Sequence, residues 1–331
     1  MARVLLFGVG SIGAVYLHQL QQAGCIVTIV CRSNYHAVQQ NGFTLRSERF
    51  GNVSYRPDHI VRSVADCPAD AVYDYLIVTS KSFPASSHHP ALADQLRPVL
   101  ASRPNTTIVL AQNGIDIEPA IADAYPQNPL LSGVIYLPAT QVAPGVIEYP
   151  ETLNLLELGT YPANAPAAHR ASAQRLADLM TQGGGEVKVL DDIQVARWSK
   201  LLLNASWNPI CALSLCSDGD FLLTSSPFAY DLVWGIILEI VTLARKIGIP
   251  GVDEEAGEAR FAIAKRRAET NSGREPSMLH DVRQGRLFEV EAIVGNTVRI
   301  GRKWAVPMPR LETVYALAKA RYEAMAAGDI Q

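Results

Sequence analysis

Near the N-terminus, Gly8-Val9-Gly10-Ser11-Ile12-Gly13 has the spacing GxGxxG, in which each glycine has its own task. The first permits a tight turn, the second lets the backbone approach a diphosphate, and the third lets a helix pack closely on a strand. Such a turn also presents the positive end of the following helix to an anion. The pattern therefore predicts a cradle for a dinucleotide pyrophosphate. At the end of the next strand, where a carboxylate would bind the ribose hydroxyls of NAD, the chain reads Val30-Cys31-Arg32-Ser33. Arg32 can form charge-assisted hydrogen bonds to a 2′-phosphate and Ser33 can donate another, so the site favours NADP(H).

A second constellation lies in Arg197-Trp198-Ser199-Lys200-Leu-Leu-Leu-Asn204-Ala-Ser-Trp-Asn208-Pro209. Lys200, Asn204 and Asn208 stand at i, i+4 and i+8 of an otherwise apolar helix and share one face. Burying unsatisfied donors costs about 1–3 kcal/mol each, so the stripe faces either solvent or a polar ligand. Facing a ligand, Lys200 can serve as a general acid while the amides bind carboxylate or hydroxyl oxygens. Pro209 is expected to end or kink the helix and so expose Asn208.

Positioning these groups takes two kinds of architecture. Val4 to Phe7, a glycine turn, a helix over Ile12 to Ala23 and a strand at Ile26 to Val30 make a βαβ unit. Further β-branched runs at Tyr75–Thr79, Thr107–Ala111 and Leu131–Tyr136 suit a mostly parallel sheet covered on both faces, with a mixed excursion over 41–73. Ala167–Gln182 reads as a helix stopped by three glycines. From Asp192 onward apolar residues recur at three and four, with long helices at Ile193–Leu213, Phe228–Ile247 and Leu311–Ala327. The expected fold is an α/β Rossmann-type domain over 1–187 followed by an all-α domain over 188–331, with a site in the cleft between them.

Composition narrows the partners. Of the 331 residues, 48% are hydrophobic and 18% charged, a globular balance long enough for two domains. The net charge of −3 leaves no basic face for nucleic acid. No uninterrupted apolar run is long enough for a membrane span, and the N-terminal apolar stretch is broken by glycines without a cleavage site, so a cytoplasmic protein is expected. Cys25, Cys31, Cys67, Cys211 and Cys216 lack metal or redox spacing and read as reduced, buried thiols. The apolar C-terminal helices leave room for a homodimer.

Four motifs in order carry a resemblance: the GxGxxG turn, Gln112-Asn113-Gly114, Lys200-x3-Asn204-x3-Asn208-Pro209, and Ser277-Met278-Leu279-x-Asp281-x7-Glu289. Together they resemble the 2-dehydropantoate 2-reductase (ketopantoate reductase) family over nearly the whole chain. The resemblance implies NADPH-dependent hydride transfer to the C2 carbonyl of a 2-oxo acid, with Lys200 protonating the developing alkoxide and pantoate as product, a step toward pantothenate and coenzyme A. It places Asn113 beside nicotinamide and substrate, and makes Asn204, Asn208 and Ser277 substrate ligands. Glu289 becomes the carboxylate that organises lysine, substrate and cofactor, and Lys81 a lysine near the cofactor. After Glu289 the pattern departs: the family commonly has Asp two residues on and an Asn-Gly pair further along, where this chain has Glu291 and Val294-Gly295.

Other groups read more plainly. His88-His89 has no Cys or Asp partner at ligand spacing, so no metal site is expected. His280 reads as a partly exposed helix-surface histidine, Trp198 and Trp207 as packing residues. Ser277 also sits where an N-cap would. The rival functions are the same chemistry on another branched 2-oxo or 2-hydroxy acid, and an NADPH-binding redox sensor without turnover. A sensor has no need for both Lys200 and Glu289.

Overall fold

The computed structural model describes residues 1–86 and 89–328 and divides into two compact units. The first comprises Met1–Lys81, Ala85–Gln112 and Glu118–Ile193; the second comprises Ser82–Pro84, Asn113–Ile117 and Gln194–Gln331.

The first unit holds twelve strands: β1 (Arg3–Phe7), β2 (Ile26–Val30), β3 (Phe43–Ser47), β4 (Gly51–Tyr55), β5 (His59–Val61), β6 (Tyr75–Val78), β7 (Thr107–Ala111), β8 (Leu130–Tyr136), β9 (Thr140–Ala143), β10 (Val146–Tyr149), β11 (Leu155–Thr160) and β12 (Glu186–Val189). Eight form one sheet in the order β12-β11-β8-β7-β6-β1-β2-β5. From β5 to β8 all neighbours are parallel, β11 is antiparallel to β8, and β12 is again parallel to β11. Strands β6 and β7 are buried at every position, which is why they read as continuous apolar runs rather than alternating ones. The strand order reverses at β1, the position where open α/β sheets bind ligands at their carboxyl ends.

Of the 41–73 excursion, β3 and β4 join β9 and β10 in a second sheet, β4-β3-β10-β9, in which β10 runs parallel to β3 and antiparallel to β9, while β5 belongs to the main sheet. Helices α1 (Ser11–Gln22), α2 (Tyr35–Asn41), α3 (Leu92–Leu100), α4 (Pro119–Ala124) and α5 (Ala167–Gln182) complete the unit. Its core includes Val15, Leu17, Val27, Ile77, Val109 and Leu176.

The second unit is helical: α6 (Ile193–Ser214), α7 (Asp218–Thr224), α8 (Phe228–Lys246), α9 (Glu254–Glu269), α10 (Ser277–Arg283), α11 (Asn296–Lys303) and α12 (Pro309–Ala327), with a π-helical turn at Glu291–Gly295. Trp198, Leu202, Val233, Ile240, Phe288 and Leu311 are among its core residues. The helix containing Pro209 does not end there. It continues to Ser214, because Ile210, Cys211 and Ala212 are buried and their packing outweighs the hydrogen bond that proline cannot donate. Asn208 is accordingly buried, 3% exposed.

Cys25, Cys31 and Cys211 are buried free thiols, whereas Cys67 and Cys216 are partly exposed, each lying in a loop rather than within a strand or helix. Trp198 and Trp207 are buried packing residues, and Trp207 lies 6.2 Å from the Phe261 ring. Among the described residues no helix is long and apolar enough to cross a membrane, and no group of His, Cys, Asp or Glu could hold a metal ion; His88 lies outside the described residues.

Candidate active site

In the first unit, β1 delivers the chain into the glycine turn and α1 leaves it. Gly8 has φ +87°, and a Cβ there would lie 2.6 Å from the Ser80 backbone, so neither its conformation nor its surroundings accept a side chain. Gly13 is similarly close-packed: a Cβ there would lie 2.6 Å from the Thr79 Oγ1. A Cβ on Gly10 would meet nothing within 4 Å. This is the open side of the turn, and Gly10 caps α1 without a side chain, so the first-turn N–H groups of Ser11, Ile12 and Gly13 form a cradle of the kind a pyrophosphate fits. The middle of the turn is pinned by Asn34, which is buried and donates from Nδ2 to the Val9 carbonyl at 3.3 Å and to Gln141 Oε1 at 2.7 Å.

Arg32 and Ser33 are exposed at the end of β2. The Arg32 guanidinium hydrogen-bonds Gln95 and lies 5.9 Å above the Phe7 ring, so its direction is set before any ligand arrives. Beside it, burial pushes the Cys31 thiol up to about 11, only partly opposed by a backbone hydrogen bond from Asn34. That thiol stays protonated near neutrality. Lys81 follows β6 in a half-buried loop, and Gln112 Nε2 donates to the Ser80 carbonyl at 2.7 Å.

The second unit gathers the remaining groups. Lys200 Nζ, half-buried on α6, donates to Asn113 Oδ1 at 2.9 Å. Asn113 Nδ2 in turn donates to Glu289 Oε2 at 3.3 Å, and the other carboxylate oxygen accepts the Ser82 backbone N–H at 2.9 Å. Glu289 is 8% exposed, so a charged group there relies on these donors. Asn113 thus joins the lysine to the carboxylate. On the same α6 face Asn204 is half-buried, and Asn208 Oδ1 accepts both the Ser277 hydroxyl and the Met278 N–H at 3.3 Å. Ser277 is not the cap of α10. Pro276 holds that position in extended conformation, which frees the Ser277 hydroxyl to reach across to Asn208.

Three supporting residues were not singled out by sequence. Arg197, 3% exposed, donates from Nη1 to the Gly114 carbonyl at 2.8 Å. Asn296 Nδ2 donates to the Ile115 carbonyl at 2.7 Å, and the Ile115 N–H donates to the Ala292 carbonyl at 3.0 Å. The sequence signal for Arg197 was its place one turn before Lys200 in an apolar helix. Gly114 has φ +95°, and a Cβ on it would lie 2.4 Å from the Ala292 carbonyl oxygen. The Asn113 turn is therefore clamped against the π-helical turn.

Comparison with known proteins identifies the family. The ketopantoate reductase PanE/ApbA profile matches residues 4–162 and the ketopantoate reductase PanE/ApbA C-terminal profile matches 192–323. A 2-dehydropantoate 2-reductase of Mesorhizobium japonicum is 28% identical over 96% of this chain and 97% of its own. The crystal structure of 2-dehydropantoate 2-reductase from Methylococcus capsulatus is 33% identical, covers 98% of each chain and superposes with a TM-score of 0.82. D-mandelate dehydrogenase, in a ternary structure with NADH and anilino(oxo)acetate, shares the fold with a TM-score of 0.82, 22% identity and coverage of 98% of this chain and 99% of its own. The chain belongs to the ketopantoate reductase family of NAD(P)-dependent oxidoreductases.

Proposed function

We propose that this protein reduces 2-dehydropantoate to pantoate with NADPH, and the observation that carries the reading is the hydrogen-bonded chain from Lys200 through Asn113 to Glu289. NADPH, when bound, supplies the hydride that forms the new C2–H bond. Lys200 Nζ gives the proton to the carbonyl oxygen as negative charge develops there, is left as a neutral amine and regains a proton from solvent. An ammonium has three N–H bonds, and committing one to Asn113 Oδ1 fixes the direction of the head group. Glu289 orients the network by holding Asn113 and the Ser82 N–H.

Asn208, whose Oδ1 already accepts twice, offers its Nδ2–H bonds to a substrate carboxylate or hydroxyl, with Asn204 and the Ser277 hydroxyl as the other substrate ligands. Gly8 to Gly13 cradle the diphosphate, Arg32 and Ser33 read the 2′-phosphate, and Lys81 assists. Absence of a carboxylate after β2 and the pre-set direction of Arg32 support NADPH over NADH. In this division of labour residues 1–187 bind NADPH and contribute Asn113 to the site, and residues 188–331 supply the acid and the other substrate ligands. A cytoplasmic setting belongs to the same reading, as does self-association through the helical unit, which the exposed Phe228 and Leu223 support and sedimentation velocity checks.

A steady-state panel of 2-oxo acids with NADPH tests the substrate. Dominant kcat/KM for ketopantoate is expected. Negligible turnover of ketopantoate beside rapid turnover of another branched 2-oxo acid overturns it in favour of a sister dehydrogenase.

A further inference from the structure

The departure after Glu289 sits at the centre of an ion network. Glu291 is 9% exposed and opens the π-helical turn. Its Oε2 accepts from Arg299 Nη1 at 2.8 Å, and its Oε1 accepts from the Tyr315 hydroxyl at 2.9 Å and from Lys319 Nζ at 3.0 Å. The glycine at 295 leaves room for this pair: a Cβ there would stand 2.4 Å from Glu291 Oε2 and 3.1 Å from both terminal nitrogens of Arg299, so the side chains would have to shift. From Arg299 the network runs on. Nη2 donates to Asn296 Oδ1 at 2.6 Å, and Asn296 Nδ2 holds the Ile115 carbonyl at 2.7 Å, two residues past Asn113.

Glu291 touches neither Lys200 nor Asn113 in this network, yet both routes out of it end on their geometry. One is the relay through Arg299 and Asn296 to the Asn113 turn. The other is the π-helical turn itself, whose Ala292 carbonyl accepts the Ile115 N–H at 3.0 Å and whose Ile293 N–H donates to the Glu289 carbonyl at 3.2 Å. A π-turn carries one more residue than the α-helical ladder accommodates and unwinds readily unless its side chains are tied elsewhere. Three donors from α11 and α12 tie this one.

We infer that Glu291 is a positioning residue, which fixes Asn113 and Glu289 in register with Lys200 by anchoring the π-helical turn and the Arg299–Asn296 relay. The inference rests on the reductase reading for its kinetic consequence but not for its structural one. A misplacement near 1 Å of an orienting group can lower turnover about 100-fold, which is the scale of effect to expect.

The test uses the full-length protein as wild type, Glu291→Gln, Tyr315→Phe and Asn113→Ala, and the two double variants that combine Asn113→Ala with the others. NADPH affinity, kcat, KM and backbone amide exchange are measured for each. Glu291→Gln is expected to lower kcat about 10- to 100-fold, leave the NADPH Kd within about twofold, and speed exchange at Ile115 while Leu76 in the sheet is unchanged. Its effect on kcat shrinks below about threefold once Asn113 is alanine, since a residue acting through Asn113 has nothing left to position. Tyr315→Phe gives the same pattern more weakly and stands in should Glu291→Gln not fold. Wild-type kcat and unchanged Ile115 exchange in the variants overturn the inference, as does a loss that persists in full on the Asn113→Ala background. If the wild type reduces no 2-oxo acid, the reductase reading falls, and Ile115 exchange alone decides the role of Glu291.

Discussion

Asn113 Oδ1 takes a hydrogen bond from Lys200 Nζ at 2.9 Å, joining two residues 87 positions apart in the chain. The side-chain amide then donates an N–H to Glu289, so lysine and carboxylate are coupled through a neutral group that supports the charge of each. Lys200→Ala removes the proposed proton source and leaves the rest of the site in place. Turnover is expected to fall about 10²- to 10⁴-fold with NADPH affinity unchanged. Stopped-flow single turnovers on the variant check this, and unimpaired chemistry would remove Lys200 as the acid.

Arg32, the residue proposed to read a 2′-phosphate, is steered by Gln95 and Phe7. Losing charge-assisted hydrogen bonds to a phosphate corresponds to about 10- to 100-fold in affinity, so Arg32→Ala should weaken NADPH by that factor and NADH hardly at all. Gln95→Ala should shift the ratio in the same direction by less. Fluorescence titration with both nucleotides gives the ratio, and equal weakening of the two would refute phosphate recognition.

The glycine turn separates folding from binding. Gly8→Ala forces a Cβ against the Ser80 backbone at positive φ and should cost about 1–3 kcal/mol, read as a lowered Tm. Gly10→Ala places its methyl in open space, so the Tm stays near the wild-type value while NADPH affinity drops. A normal NADPH Kd for Gly10→Ala would show that the diphosphate does not approach there.

Glu291 gives the stability of the helical unit a pH dependence. Burial alone would raise its carboxyl, but hydrogen bonds from Lys319, Arg299 and Tyr315 outweigh it and hold the group below its ordinary 4.5. A lowered folded value means that the stabilisation is complete above 4.5 and is lost as pH falls through the folded value. Glu291→Gln should therefore melt well below wild type near pH 7, with the gap narrowing as pH falls below 4.5. Parallel melting curves across that range at constant separation would contradict it.

What could be read from sequence followed locality. Gly8 to Gly13 and Arg32 are legible because strand, turn and helix are contiguous, and the Lys200–Asn208 stripe because a helix repeats its faces. Strands β9 and β10 escape a sequence reading since they are short and only partly buried, and β11 since Pro150 and Pro162 bracket it closely and prolines favour turns. Helix α9, dense in Glu and Arg, shows too weak an apolar stripe to be marked, although Asp253 caps it. Pro209 misled because a local helix-breaking rule yielded to burial further along the helix. The Glu291 network was out of reach, because a π-turn follows no 3.6-residue period and its partners come from two later helices.

Two short pieces of chain, Ser82–Pro84 and Asn113–Ile117, are compact with the helices although sheet strands flank them in sequence. The helical unit is thus not a continuous stretch that recombination or cloning could lift out by a single cut. A fragment beginning at Gln194 would keep Lys200 and Glu289 yet strip from them the Asn113 side chain and the Ser82 N–H, leaving a buried carboxylate short of two donors. Exchanging this module intact would require three separate segments of the chain to travel together.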